Sequence, residues 1–423
     1  MWINIFSSRK EAFSLVKVFA GTKQRMFKTL RICAALLFLT ALLPGSHAEE
    51  ALLNERGSAK RIDLPETFLK WGAFNVRPQV GGSVYYDDNF RTTPTNAQKD
   101  LIWNISPSVS GGLGNVRDLS GNLLLLNYAP NLVFFTDHDQ NNSFDNVLSL
   151  LGQLQFSKLT LQLQQAYQNI TAAVGDVGDR IEQTLYTTRL AGRYAYSSKT
   201  YFGLTAMQTI ADYGQLNGFN EWTFDGLVDY KLTDKVTLGV TGGYKLRDVQ
   251  GGANLTSEQV QVRGEYLLTG KLSLDGSIGA DFRQFQGGLN EPASLIFSVG
   301  GAYRPKPGTS IRLEAARRDQ CSILFGGQNF ITTGFTATFS QQFWRKYAIN
   351  LTGGYENADY RSTTLNTASV NRNDDNYLIA PSINAYLTSK WQVNVYYQYR
   401  ENISSGNFSF VDNQVGLRSN YKF

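Results

Sequence analysis

The chain has 423 residues, a formal charge of +5 and 13% aromatic residues, with 39 Gly against 10 Pro and 3 Met, a mix that suits strands better than helices. Residues 1–48 hold Arg9, Lys10, Lys17, Lys23, Arg25, Lys28 and Arg31 against Glu11 alone, so they carry 7 − 1 = +6 and the remainder carries 5 − 6 = −1. The basic excess belongs to that opening segment, which removes the case for a nucleic-acid partner.

Residues 1–48 read as a secretory signal. Lys28 and Arg31 lead into an apolar run from Ile32 to Leu43, and Ser46-His47-Ala48 precedes Glu49, which sets the expected cleavage between Ala48 and Glu49. The run is about 12 residues, short of the roughly 20 that a membrane-crossing helix needs. Translation from Met26 would explain the extra basic stretch ahead of it. Cys33 falls in the leader without a lipid-attachment motif before it, and Cys321 alone remains, so no intramolecular disulfide is expected. Residues 49–76 follow, including Leu64-Pro65-Glu66-Thr67-Phe68-Leu69-Lys70-Trp71; a periplasmic plug, a docking tail and a plain linker are the three readings of this segment.

From Arg77 onward apolar and polar residues alternate, the period of strands with one face in each medium. Val236, Leu238, Val240, Gly242 and Tyr244 share one face, and Thr237, Gly239, Thr241, Gly243 and Lys245 the other. Trp391, Val393, Val395, Tyr397 and Tyr399 oppose Gln392, Asn394, Tyr396, Gln398 and Arg400 in the same way. Very short turns join the strands in pairs at Ser157-Lys158, Ser197-Ser198-Lys199, Thr233-Asp234-Lys235, Thr269-Gly270-Lys271, Pro305-Lys306-Pro307-Gly308, Arg345-Lys346 and Thr388-Ser389-Lys390. Their lysines stand 35 to 44 positions apart, one hairpin repeat each. Longer polar connections fall near 87–100, 137–141, 172–180, 213–220, 248–256, 286–292, 319–328, 361–373 and 403–407. Short turns on one side and longer loops on the other predict an all-β fold, a transmembrane antiparallel up-and-down β-barrel over 77–423 with about 18 strands (roughly 16 to 18) and its short turns in the periplasm.

Two further patterns place this barrel in the bacterial outer membrane. Aromatic residues gather at strand ends, Tyr86, Trp103, Tyr167, Trp222, Tyr355 and Tyr399 toward the loops, and Phe156, Tyr230, Tyr266, Tyr303, Trp391 and Tyr421 toward the turns. Small aliphatic residues fill the space between, as in a wall bathed in lipid. The last strand ends on Tyr421 and Phe423, which resembles the C-terminal signature by which barrel assembly machinery recognises outer-membrane barrels. Membrane lipids and that machinery are the expected partners.

If the apolar face meets lipid, the polar face lines a lumen. On it fall Arg189, Arg193, Asp225, Asp229, Lys245, Arg263, Glu265, Asp275, Asp281, Arg283, Arg312, Glu314, Glu356, Arg400 and Arg418, since an Arg or Lys facing lipid at mid-depth would cost about 2–4 kcal/mol. The interleaved signs predict either mutual bracing or a wet path for a polar solute. A barrel of this size leaves an aqueous channel, and with no long loop to fold inward, any constriction is expected from side chains or from the segment before Asn75. No catalytic group is expected: beyond the leader the single histidine is His138, beside Asp137, Asp139 and Gln140. No cofactor and no metal are expected either. The acidic runs Asp87-Asp88-Asn89 and Asn373-Asp374-Asp375-Asn376 fit no calcium-loop spacing and read as solvated turn residues.

The opening strand, Phe74-Asn75-Val76-Arg77-Pro78-Gln79-Val80, followed by Tyr85-Tyr86-Asp87-Asp88-Asn89-Phe90-Arg91, resembles the start of the β-barrel porin type 2 family. Members of that family include outer-membrane barrels of bacterial exopolysaccharide operons. The resemblance implies a Gram-negative outer-membrane pore, first of all an exit for an exopolysaccharide working with periplasmic export proteins. A general or solute-specific diffusion porin and a structural anchor for a secretion complex are the alternatives. The family supplies no catalytic residues.

Overall fold

The computed structural model describes residues 69–116, 118–174, 177–286, 292–324, 328–362 and 372–423. The leader, the Ala48–Glu49 junction and residues 49–68 lie outside the described residues. The strands are β1 (Leu69–Trp71), β2 (Phe74–Asp87), β3 (Asp100–Asn115), β4 (Ser120–Phe135), β5 (Ser143–Gln155), β6 (Leu159–Val174), β7 (Asp179–Ala195), β8 (Thr200–Asp212), β9 (Phe219–Lys231), β10 (Val236–Val249), β11 (Leu255–Thr269), β12 (Leu272–Phe285), β13 (Ser294–Tyr303), β14 (Thr309–Cys321), β15 (Gln328–Phe343), β16 (Tyr347–Ser362), β17 (Asn373–Tyr386), β18 (Trp391–Ser404) and β19 (Phe410–Lys422).

Each strand from β2 to β19 pairs antiparallel with the next, and β19 returns to β2 from Gln414↔Asp87 to Lys422↔Gln79. Eighteen strands thus close into a barrel without a free edge, as a sheet inside lipid must. β1 pairs only with the first residues of β2, Leu69 opposite Val76, on the side left uncovered below the end of β19. The ladder between β13 and β14 is short, running from Tyr303↔Ile311 to Phe297↔Arg317.

Alternation decides which face each residue takes. On β10, Leu238, Val240, Tyr244 and Leu246 are 40–51% exposed, beside Val228 of β9 and Val262 of β11. A belt of exposed Leu, Val, Ile and Phe continues around every strand pair, which in water would be a single large apolar patch. The wall therefore faces lipid, and the chain is a barrel of the bacterial outer membrane. The aromatic residues named above all sit on this outer face, several as pairs: Tyr167 with Tyr186 at 5.0 Å, Tyr355 with Tyr377 at 5.3 Å, and Trp222 stacked on Phe224 at 5.9 Å. Val240→Arg should cost about 2–4 kcal/mol, whereas Thr241→Arg, one residue on and facing inward, should cost little. Urea unfolding of the two variants in vesicles checks this, and equal losses would reject the assignment of faces.

Both ends of the barrel chain lie at the short-turn end, where the Phe423 N–H donates to Pro78 O at 3.2 Å and the Tyr421 and Phe423 rings meet edge to face at 5.1 Å. Four turns repeat one device: the hydroxyl of Ser197, Thr233, Thr269 or Thr388 accepts the N–H of the residues two and three positions later, at 3.0–3.2 Å, leaving the intervening lysine at the tip. The turn between β15 and β16 is different. Trp344 and Arg345 adopt φ of 44° and 61°, a left-handed conformation that costs a non-glycine residue about 1–2 kcal/mol.

Candidate functional site

The fifteen charged residues picked out by alternation all lie on the face opposite the lipid belt. Several are held by neighbours: Asp229 by Arg263 at 3.5 Å, Asp281 by Arg283 at 3.6 Å, Glu356 by Arg318 at 3.6 Å, and Glu314 by Arg312. Arg400 pairs with Asp412, its Nε at 2.7 Å, and Lys245 lies 4.0 Å from Glu221. Arg193 and Arg418 instead lie over the rings of Tyr201 and Tyr396, at 4.5 and 3.5 Å. Arg189, Asp225, Glu265 and Asp275 stand outside these ion pairs. The Asp229–Arg263 pair spans β10, between β9 and β11, and it can do so because Gly239 separates them: a Cβ there would come within 2.3 Å of Asp229 Oδ1.

Between the charges the inner face is hydroxyl and amide, as in Ser106, Ser110, Asn127 and Asn131 on β3 and β4, Gln153, Gln162 and Gln164 on β5 and β6, and Thr336, Thr338 and Thr352 on β15 and β16. Some bond across strands, Ser110 to Asn127 at 2.8 Å and Gln162 to Gln153 at 2.7 Å. Toward the turns the inner face is open, with Arg263 and Arg312 at 43% and 55% exposure.

Toward the loops it is filled, and here the expectation that no loop folds inward is corrected. Two sets of contacts cross the mouth. In the first, residues 88–99 turn inward, so that Phe90 buries against Ile102, Val133 and Phe135, all inner-face residues. Arg91 reaches Asp179 at 3.4 Å and Asn141 at 2.9 Å, while Gly178 of the β6–β7 connection lies close enough to Phe408 of the β18–β19 connection that an added Cβ would meet its ring at 3.5 Å. Arg372 closes the same side, stacked between Tyr360 and Phe408 at 4.3 and 3.7 Å and bonded to Asp374.

The second set is a latch. By alternation Asp319 shares a face with lipid-facing Leu313, and an extended β13–β14 ladder would set it beside exposed Leu295. A carboxylate there would face lipid. The ladder stops at Arg317 instead, and the end of the β14–β15 hairpin leans across the mouth. Asp319 is then bound by Arg283 of β12 at 2.8 Å and Arg247 of β10 at 3.2 Å, and Arg247 also binds Glu221 of β9 at 2.6 Å. At the tip, Asn217 of the β8–β9 connection donates its backbone N–H to Ile323 O at 2.9 Å and its side-chain amide to Ile323 O and Leu324 O. Asp319, Arg247 and Arg283 are 2%, 6% and 1% exposed at their side chains. Buried charges of this kind stay put only while every partner is present.

The acidic runs also depart from expectation. Asp87 and Asp374 are buried strand residues, not solvated turn residues: Asp87 accepts from Asn89 N and from the Gln414 amide, both at 2.9 Å, and so fastens β19 to β2. Among the described residues, oxygens of Asp87, Asp88 and Asp412 lie within 4.8 Å of one another. Protein donors already engage them, Asn413 on Asp88 and Arg400 on Asp412. His138 gives Nδ1 to a contact with Asp100 at 2.9 Å and packs on Phe90. Asp100 also accepts three backbone N–H bonds from Thr136, Asp137 and His138, so this pair anchors a loop.

Glu221, Arg247, Asp319 and Arg372 were not among the residues singled out by the sequence, and Asp374 was read there only as a solvated turn residue. Asp319 and Arg372 fall in segments that read as loops, and the only available signal was charge beyond the ends of the aromatic belt.

No protein-family model matches the chain, and no curated protein is similar to it in sequence. Among solved structures, OccK3 (OpdO) of Pseudomonas aeruginosa is 10% identical, with 82% of this chain and 95% of that chain covered at a TM-score of 0.46. OpdK of the same organism, solved with vanillate, is 13% identical, with 82% and 98% covered at 0.44. OccAB3 of Acinetobacter baumannii is 8% identical, with 82% and 99% covered at 0.46.

Proposed function

We propose that this barrel is a gated outer-membrane pore for small polar solutes, opened by withdrawal of the β14–β15 hairpin from the mouth. The observation that carries the reading is the contrast along the axis: an open inner face of hydroxyls, amides and paired charges toward the turns, and a latch of buried ion pairs toward the loops. Charges that are mutually neutralised select weakly between anions and cations, and hydroxyls and amides replace part of a polar solute's hydration. Glu265 and Asp275, exposed on the inner face and outside the ion pairs above, are available to a passing solute.

The test is a reversible tether. Asn217→Cys with Ile323→Cys, in a Cys321→Ser background, links the hairpin tip to the facing loop. Planar-bilayer current is expected to fall to the closed level under oxidant and to return with reductant. Current indifferent to the tether would reject the hairpin as the gate, and no current in either state would reject the pore.

Export of an exopolysaccharide is the second reading. It rests on the resemblance of Phe74 to Arg91 to the β-barrel porin type 2 family and on the amide and hydroxyl stripe across β3 to β6, which offers successive hydrogen bonds to a sliding sugar chain. A gene deletion that leaves secreted polysaccharide unchanged would remove it.

A further inference from the structure

The short turns carry a charge that neither the lumen nor the latch uses. Among the described residues between strands at the turn end, nine are basic (Lys158, Lys199, Lys235, Lys271, Arg304, Lys306, Arg345, Lys346 and Lys390) and two are acidic (Asp118 and Asp234). At the loop end the same count is three against three, Arg91, Lys99 and Arg372 against Asp88, Asp137 and Asp139. Connection chemistry alone would favour neither end, so the asymmetry belongs to the turns.

Large apolar residues accompany these cations. Phe156, Tyr196, Leu232, Leu268 and Leu387 each lie within three positions of a turn lysine and are 37–64% exposed. Trp344 is 87% exposed, held out by the left-handed backbone described above, with Phe343 and Tyr347 of the lipid face beside it. An indole held at that cost at the foot of an apolar belt, with lysines around it, matches the boundary between acyl chains and head groups. The hydroxyl-capped turns fix four of the lysines at that height.

We propose that the ring of short turns binds the phosphate of anionic phospholipids in the leaflet facing the periplasm. The apolar residues sit in the acyl boundary, and the lysines extend past them to the head groups. An acidic periplasmic protein could share the charge preference, but it would not account for apolar side chains continuous with the lipid belt. The inference is independent of what the pore conducts.

The test uses the purified full barrel in nanodiscs of phosphatidylcholine mixed with phosphatidylglycerol, with retained lipids identified by native mass spectrometry. Wild type is expected to retain phosphatidylglycerol with an enrichment of about five-fold or more, the contribution of a single lysine near an anionic surface. A variant with Lys199→Gln, Lys235→Gln, Lys271→Gln and Lys390→Gln should show an enrichment several-fold below wild type, the five remaining turn cations holding what is left, and the same four positions changed to Arg should restore it. Because the turns keep their Ser and Thr caps, all three forms should migrate as folded, heat-modifiable barrels. If wild type shows no preference, if the Gln variant keeps the wild-type enrichment, or if the Arg variant fails to restore it in a folded barrel, the proposal is overturned.

Discussion

Asp319→Asn should turn a mostly closed channel into a mostly open one. The substitution keeps the shape of the side chain and removes the charge that Arg247 and Arg283 share across the mouth. Glu221 still serves Arg247 and Asp281 still lies beside Arg283, but the carboxylate charge that tied both arginines to the hairpin is gone. Removing one member of a buried ion pair costs about 3–5 kcal/mol, and 3 kcal/mol is roughly a 150-fold change in the closed-to-open equilibrium. The cost falls on the closed arrangement alone, because a lifted hairpin exposes both arginines to water. Single-channel recording should show the open fraction rising by that order until it saturates, with unitary conductance unchanged. Asp319→Glu, which keeps the charge, should stay closer to wild type. An open fraction identical in the wild type and the Asn variant would show that the ion pairs do not set the gate.

Deletion of Phe423 should all but abolish assembly in cells while leaving the barrel able to fold in vitro. The residue contributes one edge-to-face ring contact and one backbone hydrogen bond to Pro78, together worth about 1–2 kcal/mol. That is a small loss for a wall closed by hydrogen-bonded ladders on every side. If the terminal aromatic is an address read by the assembly machinery, outer-membrane levels collapse and refolding into vesicles proceeds nearly as for wild type. Equal losses in both assays would make Phe423 a structural residue of the seam instead.

The wall itself was legible in the sequence because each of its faces sees one uniform medium. Val240 and Thr241 differ in environment as completely as neighbours can, and alternation needs no tertiary information to say so. The same logic placed all fifteen charged residues on the inner face, yet it could not pair them. Arg263 finds Asp229 across an intervening strand only because the register brings Gly239 between them. Alternation also assumes that a strand stays in its wall. Asp319 breaks that assumption: its parity points to lipid, and the chain answers by ending the ladder at Arg317 and bending inward. Phe90 was hidden in a similar way. It lies in a polar connection, and its burial depends on Ile102, Val133 and Phe135 forming an apolar floor inside a lumen that otherwise reads as wet.

The short β13–β14 ladder bears on the mechanics of the whole barrel. It has seven paired positions, against sixteen between β6 and β7 and nine where β19 closes on β2. A hairpin that moves beside a long ladder would drag its neighbour or shear many hydrogen bonds at once. Beside this one the hairpin has no rungs above Phe297 to break on its β13 side, while β15 keeps sixteen pairings with β16 up to Gln328↔Ser362, so β16 must travel with the hairpin and the wall flexes at the β13–β14 seam.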